Sequence, residues 1–150
     1  MKNIIKYCCL LIVVSYSHLV LANNTSNSTI NIEQYKGKVV YVDFWASWCI
    51  PCRKSFPWMN EMQEKYGKDL VVIGVNVDQE KPLAEQFIKE TSPIFEIIFD
   101  AKGTLATEYQ VAAMPSAFIF DKNGKMIFKH LGFHTRKKSL YESEIQQLIN

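Results

Sequence analysis

Residues 39–45 read Val-Val-Tyr-Val-Asp-Phe-Trp, a nearly unbroken apolar and aromatic run. Such a run is expected of a central strand covered on both faces. Residues 50–66 change period: Phe56, Met59, Met62 and Tyr66 recur at spacings of three and four, which predicts a helix with these side chains in the core. Pro51 falls in its first turn, where a missing N–H is tolerated. Pro57 falls inside it and removes the bond to the Arg53 carbonyl. Gly67 is the expected cap. Residues 70–77 are a second buried strand, 81–90 a helix opening with Pro82, 94–99 a third strand and 101–109 a short helix. Strand–helix–strand alternation with short links implies parallel pairing and right-handed crossovers. Residues 116–121 and 125–130 form a hairpin around Asn123-Gly124, a type I′ signal. Residues 135–149 close the chain as a helix. Ahead of the first strand, residues 30–35 begin the fold and 36–38 make a turn.

The start of the chain has a different pattern. Lys2 and Lys6 precede an apolar stretch, and Val20-Leu21-Ala22 offers small residues for cleavage after Ala22. Residues 1–22 therefore read as a signal peptide. An uncleaved anchor is the alternative, but the apolar stretch is broken by Ser15, Ser17 and His18 and is shorter than the ~20 residues of a spanning helix. Residues 23–29 are Asn, Ser and Thr only, a composition that buries nothing and reads as a linker. The remaining residues, 30–150, suffice for one domain with one core.

Removing the leader changes the charge and the cysteine count. The whole chain has a formal net charge of +2, and the leader carries two lysines and no acid, so the mature domain is neutral. Nucleic-acid binding has no support from charge. Cys8 and Cys9 leave with the leader. Cys49 and Cys52 remain, a spacing that serves equally for a disulfide or a dithiol. One such pair is not a stapled scaffold.

The strand-to-helix turn places Cys49 at a helix N-terminus, where free N–H groups and the helix dipole favour a thiolate. The thiolate is the reactive form, so Cys49 is the candidate nucleophile and Cys52, one turn inside, the resolving thiol. Three plainer readings compete: a structural disulfide, half of a metal site, or a pair of inert buried thiols. Closing so small a loop stabilises by only about 2 kcal/mol. His130 and His134 have zinc-finger spacing but lie too far from Cys52, and they read as surface histidines. C-x-x-C beside a strand–helix–strand pattern points to redox chemistry. Asp43 either faces solvent at the strand end or is a buried acid–base group near the cysteines. Burial would raise its pKa toward the working range.

Trp45-Ala46-Ser47-Trp48-Cys49-Ile50-Pro51-Cys52 resembles the active-site signature of the thioredoxin superfamily. From about Ile32 onward the pattern resembles the exported TlpA/ResA-like thiol–disulfide reductases. The resemblance implies an α/β thioredoxin-like fold, a mixed central sheet with helices on both faces. It implies a redox-active Cys49–Cys52 disulfide, with Asp43, six residues before Cys49, at the position of the superfamily's acid–base Asp. Met114-Pro115 would be the family's cis-proline, where the Met114 backbone pairs with an extended substrate. Trp48, Ile50 and Pro51 would line the substrate groove, with Trp48 packing over the site to shield it. No cofactor and no metal are implied. The implied partners are protein disulfides, apocytochrome c among the candidates, and a membrane thiol-electron donor. The protein would be a monomer, exported to the periplasm, or held at the inner membrane if the leader is not cleaved. Ile50-Pro51 lacks the histidine found between the cysteines of strong oxidants, which favours the reducing direction.

The chain departs from the TlpA/ResA pattern in places. Ser55 stands where those proteins often have Glu, Asp43 where they often have Asn, and Ala113 where Gly commonly precedes the cis-proline. No acid follows Pro115. Two other functions stay open: a periplasmic copper metallochaperone using the dithiol, and a thiol peroxidase. The peroxidase motif requires Thr where this chain has Ala46.

N-terminal sequencing of the exported protein should begin at Asn23. An intact Met1 on a membrane-bound form would mean an anchor.

Overall fold

A computed structural model describes residues 30–150; the expected leader and linker, with Cys8 and Cys9, lie outside the described residues. Strand β1 (Val39–Trp45) is buried at every position. It pairs in parallel with β2 (Leu70–Asn76), and β2 with β3 (Glu96–Phe99). On its other side it pairs antiparallel with β4 (Ser116–Phe120), which pairs antiparallel with β5 (Met126–Leu131). The five-stranded sheet is thus mixed, in the order β3-β2-β1-β4-β5.

The pleat divides β1 between two cores. Val39, Tyr41 and Trp45 join an apolar cluster with α1 (Ile50–Tyr66), α2 (Lys81–Thr91) and α4 (Lys138–Ile149). Val40, Val42 and Phe44 face Leu105 of α3 (Thr104–Glu108) and Ile30. Helices therefore cover both faces, as the apolar character of β1 requires. Aromatic rings dominate the first cluster: Trp45 lies 4.9 Å from Phe56 and 4.7 Å from Phe87, and Phe56 lies 5.2 Å from Phe95.

The boundaries of β1 and α1 match the expected ones, and Pro57 lies inside α1. Several others differ for local reasons. Strand β3 starts at Glu96 rather than 94, because the Ile94 N–H donates to Asn60 Oδ1 on α1 instead of joining the sheet. Helix α3 starts at Thr104 because Gly103 is left-handed (φ 68°); buried Asp100 accepts the Ala106 N–H there. The closing helix begins at Lys138, after a 3-10 turn at Thr135–Lys137. Gly67 does end α1, but in right-handed conformation.

The β4–β5 turn is not type I′, which needs left-handed backbone at both central residues. Only Gly124 has positive φ there, at 80°. Asp121 Oδ1 accepts from the N–H groups of Asn123 and Lys125, which holds a tight turn closed by a left-handed glycine.

Gly74 is needed for space. A Cβ there would lie 3.0 Å from Ile97 Cδ1 and Trp45 Nε1, and 3.1 Å from Phe95 Cε2. Gly74→Val should lower the denaturant midpoint, at unchanged slope, by the equivalent of about 1–3 kcal/mol of overpacking strain. An unchanged midpoint would contradict this close packing.

Candidate active site

β1 delivers the chain to the site, and α1 begins it. After Trp45 the backbone turns through Ala46–Ser47–Trp48, with the Cys49 N–H donating to the Ala46 carbonyl at 3.1 Å. Cys49 is the N-cap of α1 and is joined to Cys52 by a disulfide, with Cα atoms 5.3 Å apart. The Cys52 N–H lies 3.2 Å from Cys49 Sγ. A donor of the first helical turn is thus already directed at the sulfur that would carry the charge after reduction. Such a contact and the helix dipole both favour the thiolate. In this oxidised form both cysteines are buried, Cys49 at 3% exposure and Cys52 at 0%. The expected difference in access is therefore small while the disulfide stands.

The turn is clamped by a group the sequence reading missed. Asp78, 5% exposed, accepts from the Ser47 N–H at 2.8 Å and from Ser47 Oγ at 2.9 Å. Asn76 Nδ2 donates to the same carboxylate at 2.7 Å. Three donors satisfy the charge and fix the loop that carries Trp48 and Cys49. The only sequence signal was Asn-x-Asp at the end of an apolar strand.

Asp43 faces the inside of the protein. It is 1% exposed, on the sheet face that carries Tyr41 and Trp45 toward the cluster containing Cys52. Among the described residues its Oδ2 has no hydrogen-bond partner, nor has Trp45 Nε1. Burial holds the Asp43 carboxyl well above the usual carboxylate range. Its sheet neighbours are Gly74 on β2 and Ala117 on β4, so neither side brings a compensating charge. Ser55 offers no acid from α1; its Oγ donates to the Cys52 carbonyl at 3.0 Å.

The remaining expected residues fall around the disulfide, with one correction. Trp48 does not pack over the site: its side chain is 69% exposed, and Ile50 is 71% exposed. The turn is held by Asp78, so the indole is not needed to fix it and stands in solvent. With Arg53, Leu83 and Phe87 it borders a shallow cavity of about 320 Å³. Pro51 is also exposed. The Met114–Pro115 bond is cis and Pro115 is buried. Because Ser116 pairs with Phe44, Pro115 sits at the end of the sheet from which the Cys49 turn departs. Met114 packs against both clusters.

His130 is a second correction. Expected as a surface histidine without a partner, it places Nε2 2.6 Å from Glu144 Oε2, with its ring 4.9 Å from that of Tyr141. The partner comes from α4, fourteen residues on, a proximity that only the tertiary fold creates. His134 is exposed as expected. Among the described residues no group of three His, Cys, Asp or Glu is placed to hold a metal ion, and no helix is long and apolar enough to cross a membrane.

Comparison with known proteins places this arrangement. The Redoxin family pattern matches residues 15–149. The chain is 34% identical over 110 residues to the thiol-disulfide oxidoreductase ResA of Bacillus thuringiensis subsp. konkukian, covering 73% of this chain and 64% of that protein. It thus spans somewhat under two thirds of that relative's length. A Chlorobium tepidum crystal structure, described as a thiol:disulfide interchange protein DsbE, superimposes with a TM-score of 0.77 at 42% identity, covering 79% of this chain and 85% of that one. StoA from Bacillus subtilis superimposes with a TM-score of 0.61 at 30% identity, covering 71% and 82%.

The buried carboxyl generates a stability prediction. A raised folded-state pKa means that, above the unfolded value of about 3.9, the unfolded chain binds fewer protons than the native one. Native stability is then greatest below that value and falls as pH rises through the folded-state pKa. Asp43→Asn should lack this fall and be more stable at neutral pH, by about 1–3 kcal/mol for an unsatisfied buried polar group. Denaturant melts of both oxidised proteins across acid to mildly alkaline pH measure it; parallel curves would contradict the burial argument.

Proposed function

Because the chain belongs to the Redoxin family of the thioredoxin superfamily, we propose that it is an extracytoplasmic thiol–disulfide oxidoreductase that reduces protein disulfides. The observation that carries this reading is a disulfide at the N-terminus of α1, fed by a strand that holds a buried carboxyl on the same side of the sheet. The names of its relatives, ResA and the DsbE-like protein, support the same class of chemistry.

In the reducing direction the Cys49 thiolate attacks one sulfur of a substrate disulfide, and the other leaves as a thiolate. A mixed disulfide joins Cys49 to the substrate. Asp43 takes the proton of Cys52, and the Cys52 thiolate attacks Cys49 Sγ. The intramolecular disulfide re-forms, and the second substrate sulfur leaves. Two electrons pass from the protein to the substrate. No cofactor takes part. A membrane thiol-electron donor outside the cytoplasm returns the electrons, and the protein acts as a monomer. The exposed Trp48 and Ile50, with Pro51, Met114 and cis-Pro115, form the surface that meets the substrate, and the Met114 backbone pairs with an extended segment by strand addition. Apocytochrome c is one candidate substrate, on the resemblance to the TlpA/ResA-like reductases alone. Ser55 and the missing acid after Pro115 leave the substrate class wider than that.

Alkylation of the reduced protein at limiting reagent should modify Cys49 before Cys52, at a rate reporting a pKa below about 8.5. Equilibration with glutathione should place the potential nearer thioredoxin, about −270 mV, than the oxidant DsbA, about −120 mV. Equal labelling would remove the helix-terminus argument, and an oxidant's potential would reverse the direction.

A further inference from the structure

Asp43 poses a problem that its own strand does not solve. The proposed exchange requires it to take a proton from Cys52 and later give it up, yet it is 1% exposed and its Oδ2 has no partner among the described residues. The sheet register indicates where the proton goes. Asp43 pairs with Ala117, and Ala117 with His130, so the three lie in one row across β1, β4 and β5. Directly paired residues share a face of the sheet, and neighbouring strands lie about 4.8 Å apart. The backbones of Asp43 and His130 are therefore on the order of 10 Å apart. Only the Ala117 methyl group stands between their side chains in that row. At the far end His130 reaches solvent, with 21% of its side chain exposed, and it is held by Glu144, whose side chain is 13% exposed.

Tyr41 lies on the same face, one row along. Its phenol is pushed well above the usual range by burial, then by the negative charges of Asp43, Tyr141 and Glu144. It thus stands within electrostatic reach of the carboxyl at one end and of the histidine's partner at the other. The groups facing the row are few. β1 supplies Tyr41 and Asp43, β5 supplies His130, and α4 supplies Tyr141 and Glu144; β4 supplies only Ala117 and Ile119. From α1 comes Trp58, 5.6 Å from Tyr41 and 5.8 Å from Tyr141. Lys129 covers Phe118 on the opposite face. An imidazole carries two ring nitrogens that can each hold or release a proton, and a phenol both donates and accepts a hydrogen bond.

We propose that His130, oriented by Glu144 and lying in one row with Asp43 across Ala117, is the outlet through which Asp43 exchanges its proton with solvent. This rests on the thiol–disulfide reading above. Cys52 gives its proton to the Asp43 carboxylate, a water bridging the row over the Ala117 methyl group carries it from Asp43 to the His130 imidazole, and His130 gives it to bulk water. No electrons move in these transfers. His130 and Tyr41 act through Asp43 and are positioning residues for its proton.

The test separates the two thiols. Reduced protein is mixed with dithiobis(nitrobenzoate) in a stopped-flow instrument. The first thionitrobenzoate released reports Cys49, and the second reports attack by Cys52 on the mixed disulfide. His130→Ala should leave the first phase unchanged and slow the second about tenfold, within the range of a lost acid–base group. Added imidazole should restore the second phase. His130→Gln should be slow likewise, and Ala117→Ile, which fills the row, should be slow and resist imidazole. The pH profile of the second phase should change in all three. A second phase matching the wild type at every pH would overturn the outlet, and so would a slow His130→Ala that imidazole does not restore. A wild-type protein without a second phase would instead remove the thiol–disulfide reading itself, and the outlet with it.

Discussion

An uncompensated carboxyl inside an apolar strand is the constraint on which the rest of the site depends. Asp43 gains no charge from its sheet neighbours, because these are Gly74 and Ala117. Its desolvation is therefore balanced only by the packing around it. The Trp45, Phe56, Phe87 and Phe95 cluster encloses that face on one side of the carboxyl. Tyr41, Trp58, Phe133 and Tyr141 enclose it on the other. The same packing that makes the group costly keeps it protonated well above the ordinary carboxylate range. A carboxyl tuned in this way suits proton exchange with a thiol, whose own pKa lies far above that of a solvated aspartate.

Reactivity at the other end of the site comes from backbone rather than side chains. α1 opens at Cys49, and its first-turn N–H groups converge on that residue. In the loop before it only the small Ala46 is buried in the core, since Trp48 points outward. Asp78 supplies the anchor through three hydrogen bonds from Ser47 and Asn76. Two buried acids thus divide the work. Asp78 has all its charge satisfied and fixes geometry, while Asp43 is left short of partners among the described residues and, in the proposed exchange, handles the proton.

Much of this was legible in the sequence because it is local. The unbroken apolar run of β1, the three-and-four spacing of α1 and the C-x-x-C pair at their junction each follow from short-range periodicity and a helix terminus. Burial of Asp43 was readable because an acid in a two-sided strand has nowhere else to go. What could not be read depends on distant pairing. Asp78 meets Ser47 across thirty-one residues, and His130 meets Glu144 only because α4 folds back over β5. The outward Trp48 was missed because an aromatic beside a reactive site reads as packing, and sequence does not say which side of a turn faces solvent. The type I′ expectation failed for a different reason: Asp121 satisfies the turn's N–H groups and lets Asn123 keep an ordinary backbone.

The central claim is that Asp43 is a buried acid coupled to Cys52. Carbon-13 NMR of the Asp43 carboxyl, titrated in the oxidised and in the dithiol form, tests it most directly. The account predicts a titration well above that of a solvated aspartate in the oxidised protein, and a further step in the same resonance as Cys52 titrates after reduction. A single titration near 4, the ordinary aspartate value, unaltered by reduction, would contradict it.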